Sequence, residues 1–177
     1  MEIVEQARTL TDFMEYNLSL QSTNSRKMDI CSWQPPPEGM VKINFDGATF
    51  AETNSVEAGA IARLSDGSCI RWRQQHLSFK AAPNHAELLA AAIVVRFGID
   101  MGWNHVIVER DCLSVISKLS SEEPDSSVLG NLLQDIRNHT KTFIFCKFNH
   151  VPRDANIAAH KIARGAFSDL DGEDMSV

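Results

Sequence analysis

The chain has 177 residues, of which 44% are hydrophobic, so wholesale disorder is excluded and one domain with a true core is expected, with extra residues at the ends. Asp and Glu outnumber Lys and Arg by 23 to 17, giving a net charge of −6. This charge argues against a protein that coats nucleic acid by bulk electrostatics. Any nucleic-acid contact therefore needs a local basic patch or a metal ion.

The cysteines and the N-terminus indicate a compartment. The four cysteines show neither a CxxC pair nor metal-ligand spacing, which is typical of free thiols in a reducing environment; they are Cys31, Cys69, Cys112 and Cys146. The chain has no run of 18 apolar residues, and its acidic start lacks the apolar stretch of a secretory signal. We expect an intracellular protein, nuclear or cytoplasmic, that is neither secreted nor membrane-bound.

The chain divides at a proline run. Apolar residues at helical spacing over residues 2–20, then a polar stretch, predict an N-terminal helix and linker over residues 1–32. Pro35, Pro36 and Pro37 cannot be helical and mark the entry to a domain over residues 33–167. The acidic residues 168–177 are predicted to be a disordered tail.

Three strands open the domain. Alternating Val41, Ile43 and Phe45 predict a strand over residues 40–45 that ends at Asp46. A second strand is predicted around residues 57–64, followed by a Ser-Asp-Gly-Ser turn and a third strand near residues 69–77.

Helices and strands then alternate. A wide apolar stripe predicts a helix over residues 84–101, and a short apolar run predicts a strand over residues 105–109. Two further helices, a strand over residues 143–148 and a last helix over residues 156–167 follow. The order β-β-β-α-β-α-α-β-α predicts an α/β fold, with a mixed five-stranded sheet of three antiparallel strands then parallel strands, flanked by helices on both faces.

Three carboxylates fall where an α/β site is expected. Asp46 is placed at the end of the first strand, Glu87 in the first turn of the long helix and Asp111 just past the fourth strand. Converging carboxylates repel one another and need a cation, and hard oxygen ligands select Mg²⁺ or Mn²⁺.

Each carboxylate also has a structural explanation. Asp46-Gly47 is typical of a turn, Asn84 and Glu87 have the spacing of a capping box, and Asp111 suits a helix N-cap. Only the three acids together favour a functional site.

Five sequence blocks carry a family resemblance. They read WQPPPEGMVKINFDGA, AGAIARLSDGSC, NHAELLAA, VIVERDCLSVISKL and HVPRDANIAAHKIAR. In this order they resemble the plant ribonuclease H-like domain that is found in, or derived from, non-LTR retrotransposon reverse transcriptases. The resemblance covers Trp33 to about Ala166.

The resemblance implies an Asp-Glu-Asp-Asp site that holds two metal ions. It assigns Asp46, Glu87 and Asp111 to the first three acids and His150 to a mobile histidine that assists product release. It further implies substrate contact by Asn84 and ordering of the last helix by Arg153 and Asn156. At the fourth acidic position this chain has His160. Imidazole is a poor ligand for Mg²⁺ but an acceptable one for Mn²⁺, so His160 weakens the second metal site.

Two acids are candidate replacements for the fourth acid, and Glu109 is favoured over Asp154. Asp154 is six residues from His160 and would lie on the wrong helical face, whereas Glu109 lies two residues from Asp111 at the strand end.

The function implied is metal-dependent endonucleolytic cleavage of the RNA strand in an RNA–DNA hybrid. The alternative is a catalytically weakened domain that binds nucleic acid without efficient cleavage, which His160 favours. A DEDD-type exonuclease is disfavoured because Asp46-Gly47-Ala48 lacks the Asp-x-Glu of that class, and nothing specific supports a purely structural module. Candidate phosphate contacts are Arg71, Arg73 and Lys80, although an ordinary solvated strand face explains each of them. The sequence indicates no particular protein partner.

Overall fold

The computed structural model describes residues 32–165. Within this range the order of elements is the predicted one. The strands are β1 (Val41–Phe50), β2 (Ser55–Arg63), β3 (Cys69–Leu77), β4 (His105–Arg110) and β5 (Phe145–His150). The helices are α1 (Pro83–Asp100), α2 (Leu113–Ser120), α3 (Gly130–Thr140) and α4 (Ile157–Ala163), with a 3-10 turn at Arg153–Asn156 before α4.

The five strands form one mixed sheet in the order β3-β2-β1-β4-β5. β1 pairs antiparallel with β2, and β2 pairs antiparallel with β3. β4 pairs parallel with both β1 and β5. The predicted fold class is therefore confirmed, and β1 lies at the centre, between the antiparallel and parallel halves of the sheet.

Helices cover both faces of the sheet, as the pattern predicted. Ile43 and Phe45 of β1 are fully buried on the face that packs against α1. On the opposite face, Ile61 of β2 packs against Ala159 and Ile162 of α4. Successive side chains of a strand point to opposite faces, so β1 sends its odd-numbered residues towards α1 and its even-numbered residues, Asp46 among them, the other way.

The first strand is longer than predicted. Its residues from Asp46 to Phe50 continue to pair with β2, so Asp46 lies within the strand rather than at its end or in a turn. The parallel pairing with β4 is shorter, and its last partners are Asn44 and Glu109. Asp46 therefore lies just beyond the end of the parallel pairing, which leaves its side chain accessible to Arg110, the last residue of β4.

Two later boundaries were also misplaced. β5 begins at Phe145 rather than at residue 143, because Phe143 is buried before the strand with its ring against Gly98 of α1. The last helix begins at Ile157 and ends at Ala163, short of residue 167. Gly165, with a φ of 67°, follows it in the left-handed conformation typical of a helix end.

The predicted N-terminal helix and most of the linker, and the predicted acidic tail, lie outside the described residues. Among the helices that are described, none combines the length and the apolar character needed to cross a bilayer.

Candidate active site

Asp46 is the centre of the site, and both of its carboxylate oxygens are engaged. Oδ1 accepts hydrogen bonds from the Arg110 guanidinium at 2.5 Å and from the Gly47 amide at 2.9 Å. Oδ2 lies 2.6 Å from Nδ1 of His160, which α4 presents from the second face of the sheet. The Asp46 side chain is only 8% exposed, so these contacts replace its hydration.

Arg110 connects Asp46 to Glu87. It is the last residue of β4, and its side chain is 4% exposed. One terminal nitrogen contacts Asp46 and also donates to the Phe45 carbonyl at 3.1 Å, while the other forms an ion pair with Glu87. The guanidinium carbon lies 5.2 Å from the centre of the Phe45 ring. The guanidinium is therefore held between two of the predicted metal ligands.

Glu87 lies close enough to the other acids to interact with them. The pKa of Glu87 is raised to about 7, chiefly by burial; Arg110 opposes the increase, and the charges of Asp46 and Asp111 add to it. Glu87 lies just beyond the first turn of α1, because the helix begins at Pro83, one residue earlier than predicted, with Ala82 as its N-cap. No side chain caps this helix, so the capping-box explanation of Asn84 and Glu87 is wrong.

Asp111 is tied to the same edge by Asn156. The Asn156 amide donates to Oδ1 of Asp111 at 3.3 Å and to the Phe45 carbonyl at 3.0 Å, and the residue is 1% exposed. The N-cap of α2 is Cys112, so the capping explanation of Asp111 is also wrong. Asn156 thus holds the start of the last helical segment against the end of β4.

Other predicted residues are adjacent to the site or away from it. His150 is the exposed last residue of β5 and pairs with Arg110 across the parallel ladder. Asn84 is exposed, one turn before Glu87.

Glu109 does not join the carboxylates. It is buried against Lys42 at 2.8 Å and Asn44 at 3.1 Å, because its side chain points to the face opposite that of Arg110.

The structure does not bring the predicted phosphate contacts on β3 to the carboxylates. The terminal nitrogens of Arg73 lie 3.4 and 3.5 Å from Oδ2 of Asp100, at the opposite end of α1 from Glu87, a separation of about 20 Å along the helix. Arg71 donates to the carbonyl of Ile70 and lies two strands away from β1. Lys80 is exposed in the segment that leads into α1.

The arrangement does not fit the two-metal centre that the resemblance implied. Divalent magnesium requires several oxygen ligands in near-octahedral geometry, whereas the oxygens of Asp46 face an N–H fork and an imidazole. Within residues 32–165, no group of three or more His, Cys, Asp or Glu side chains is placed to hold a metal ion. Asp46 and Glu87 lie at one edge of the sheet, with the Arg110 guanidinium between them.

Arg110 was not singled out from the sequence, although a signal was present. In the run Val106-Ile107-Val108-Glu109-Arg110, two charged residues end an otherwise apolar strand. The alternation that places Val106 and Val108 in the core also directs Arg110 towards α1, and hence towards Glu87.

The fold and this edge define a ribonuclease H-like domain. The Halobacterium salinarum ribonuclease H1 structure is similar, with a TM-score of 0.66 and 23% identity over 72% of this chain and 96% of that one. The N-terminal ribonuclease H domain of a Mycobacterium tuberculosis protein matches with a TM-score of 0.64 and 22% identity, over 72% and 92% of the chains. LC11 ribonuclease H1, solved in complex with an RNA/DNA hybrid, matches at 0.61 and 16%, over 71% and 95%.

A family model described as "Reverse transcriptase-like" matches residues 44–166, and the chain belongs to this family. The match includes all the carboxylates of the site. An Arabidopsis thaliana protein named "Putative ribonuclease H protein" is 27% identical over 156 residues, which cover 86% of this chain. The chain spans 24% of the length of that relative. The predicted plant ribonuclease H-like domain is thereby confirmed.

Proposed function

We propose that this domain binds RNA–DNA hybrids at the edge formed by Asp46, Glu87 and Asp111, and holds them without efficient cleavage. The observation that carries this proposal is the engagement of both oxygens of Asp46 by Arg110 and His160. In the two-metal site that the resemblance implies, Asp46 would be one of the metal ligands. Because Arg110 and His160 contact both oxygens of Asp46, these oxygens are poorly placed to hold metal ions for catalysis. The edge itself can still bind nucleic acid.

Hybrid binding is supported by the class of the fold and by the charge of the domain. A solved neighbour of the same fold is a complex with an RNA/DNA hybrid. Ribonucleic acid strands are recognised chiefly by minor-groove shape and by 2′-hydroxyl groups, so weak sequence preference is expected. Residues 32–165 contain equal numbers of Lys or Arg and of Asp or Glu, so the net charge of −6 resides in the flanking residues. The domain itself does not repel a polyanion as a whole.

A second candidate is metal-dependent endonucleolytic cleavage of the RNA strand. The observation that favours it is that three acids occupy the family positions at one edge of the sheet. They lie close enough that the charges of Asp46 and Asp111 raise the pKa of Glu87. For this function, Asp46, Glu87 and Asp111 would hold Mg²⁺ or Mn²⁺, and Arg110 would have to leave its position between Asp46 and Glu87. His160 in place of the fourth acid then favours Mn²⁺ over Mg²⁺.

One pair of assays separates the two candidates. Binding of a labelled RNA–DNA hybrid is measured in EDTA beside a DNA duplex of the same sequence, and cleavage of the hybrid is followed in Mg²⁺ and in Mn²⁺. We expect the protein to bind the hybrid more tightly than the DNA duplex. We expect no cleavage that depends on Asp46, which is judged against an Asp46→Asn variant whose folding is checked by circular dichroism. Cleavage that requires Asp46 would establish the second candidate. Equal binding of hybrid and DNA duplex would remove the first.

A further inference from the structure

The acidic edge needs a compensating positive charge, and the structure supplies one from within the chain. Asp46 is almost fully buried and Glu87 is largely so, and carboxylates gathered in such a place repel one another. Arg110 lies between these two side chains and contacts both. Lys42, the buried cation on the neighbouring part of the sheet, contacts Glu109 instead.

Arg110 is fixed in place rather than free to swing aside. Its side chain is 4% exposed, and its fork contacts two carboxylates and the Phe45 carbonyl. The Phe45 ring packs against its guanidinium group. A planar fork suits carboxylate pairs better than a point charge does, because each terminal nitrogen can serve a different partner. These contacts are those of a structural cation, and they use the oxygens that a metal ion would need.

We propose that Arg110 takes the place of a divalent ion at this edge, so that neither the folding of this chain nor its hold on nucleic acid requires a metal. The part that concerns nucleic acid rests on the proposed function, whereas the part that concerns folding does not. Arg110 and a divalent ion at Asp46 exclude one another. A smaller neutral residue at position 110 would therefore leave the three acids without their cation and turn the edge into a metal site.

The test uses the full chain without nucleic acid. Thermal unfolding of the wild type is recorded in EDTA, with MgCl₂ and with MnCl₂, and we expect a shift of the midpoint below about 1 °C. The Arg110→Ser variant should unfold at a lower temperature in EDTA and regain about 5 °C or more with Mn²⁺, because an ion that binds only the folded state stabilises it. Arg96→Ser, which removes an exposed arginine paired with Asp100, is the control that should gain nothing from Mn²⁺.

The wild-type measurement keeps the proposal falsifiable if Arg110→Ser does not fold. Stabilisation of the wild type by Mn²⁺ that disappears in Asp46→Asn would overturn it, because the ion would then bind despite Arg110. The proposal would also be overturned if Arg110→Ser folds but its unfolding midpoint does not change with either metal. Hybrid affinity is measured afterwards at matched ionic strength in EDTA and in Mg²⁺, and it should not be higher in Mg²⁺. An absence of hybrid binding would contradict the proposed function and leave the folding result standing.

Discussion

Two nitrogen-bearing side chains decide what Asp46 can do. Arg110, which precedes Asp111 in the chain, contacts Oδ1 of Asp46, while His160 of α4 contacts Oδ2 of Asp46. His160 lies where the family resemblance implies a fourth acid, and Arg110 places a cation among the other three. Neither side chain adds negative charge to the edge, so both act against the binding of divalent ions.

Restoring the acid and removing the cation together should therefore create activity. We expect the double variant Arg110→Ser, His160→Asp to cleave a labelled RNA–DNA hybrid in Mg²⁺ at a rate at least tenfold above the wild type, a roughly estimated gain for a charge-stabilising group. Each single variant should gain less, and His160→Asp alone should gain least because Arg110 remains. The double variant with Asp46→Asn added is the control and should be inactive. Equal rates for the wild type and the double variant would refute this account.

Cys146 illustrates how burial controls a single thiol. Burial on β5 raises the pKa of Cys146 to about 12, so its reactive thiolate is scarce at pH 8. Cys112, at the start of α2, is partly exposed, and its sulfur lies 3.3 Å from the Ser114 hydroxyl. We expect iodoacetamide to modify Cys146 in the folded protein about a hundredfold or more slowly than Cys112, with a Cys146 rate that is still rising tenfold per pH unit at pH 9. Peptide mass spectrometry measures both rates, and urea should equalise them. Comparable rates in the folded protein would contradict the assigned burial.

At the scale of elements, one glycine determines how closely α4 approaches the sheet. A Cβ atom at Gly59 of β2 would lie 2.3 Å from the Ala163 nitrogen and 2.7 Å from the Ala159 oxygen. These are backbone atoms, so no side chain can move aside. The short distance between β2 and α4 in turn brings His160 to Asp46, because Asp46 is the β1 partner of Gly59.

Gly59→Ala should therefore separate α4 from the sheet. We expect a loss of about 3 kcal/mol or more in the free energy of unfolding, at the upper end of what overpacking costs, measured by urea denaturation. Gly102→Ala is the matched control: its φ is 70°, but its Cβ would meet nothing within 4 Å, so only backbone strain of about 1 kcal/mol is added. A Gly59→Ala chain as stable as Gly102→Ala would show that α4 does not pack as described.

The elements were largely predictable because their periodicities are simple. The alternation of apolar residues in β1 and the wide stripe of α1 show which face of each element packs into the main apolar core, and the sequence records this directly. The end of β1 was missed because its pairing with β2 continues through Asp46 and Gly47, residues typical of turns. The carboxylates could be predicted as a group, whereas the position of Arg110 depends on three elements meeting: β1, β4 and α1. The alternation of β4 indicates the face on which Arg110 lies, but no local pattern shows that Asp46 and Glu87 meet it there.

At the scale of the whole molecule, charge is distributed unevenly along the chain. Residues 32–165 are balanced, and the flanking residues carry the acidic excess, including Asp169, Asp171, Glu173 and Asp174 near the C-terminus. Like charge lowers the rate of encounter with a nucleic acid over distances of about one Debye length, which is roughly 10 Å at 0.1 M salt. If the domain binds hybrids as proposed, we expect the flanking residues to reduce hybrid affinity by charge repulsion alone.

Neutralising those four residues in the full chain tests this effect. We expect the variant with Asn at the three aspartates and Gln at Glu173 to bind hybrid roughly two- to fivefold more tightly at low salt, with the difference vanishing as salt is raised. Fluorescence anisotropy with a labelled hybrid measures both conditions. Replacing four residues that are already uncharged, Ser120, Ser121, Ser126 and Ser127, with alanine is the control for the number of substitutions. A gain that persists at high salt would indicate direct contact rather than repulsion.

The Asn156 amide joins residues that are far apart in the chain. Its hydrogen bond to the Phe45 carbonyl spans 111 residues, and the contact between His160 and Asp46 spans 114. During synthesis on a ribosome, Phe45 and Asp46 of β1 therefore lack Asn156 and His160 until nearly the whole domain has been made. A transcript that stops after β5 would encode all five strands and three of the helices. It would nevertheless leave Asp46 without His160 and Asp111 without Asn156.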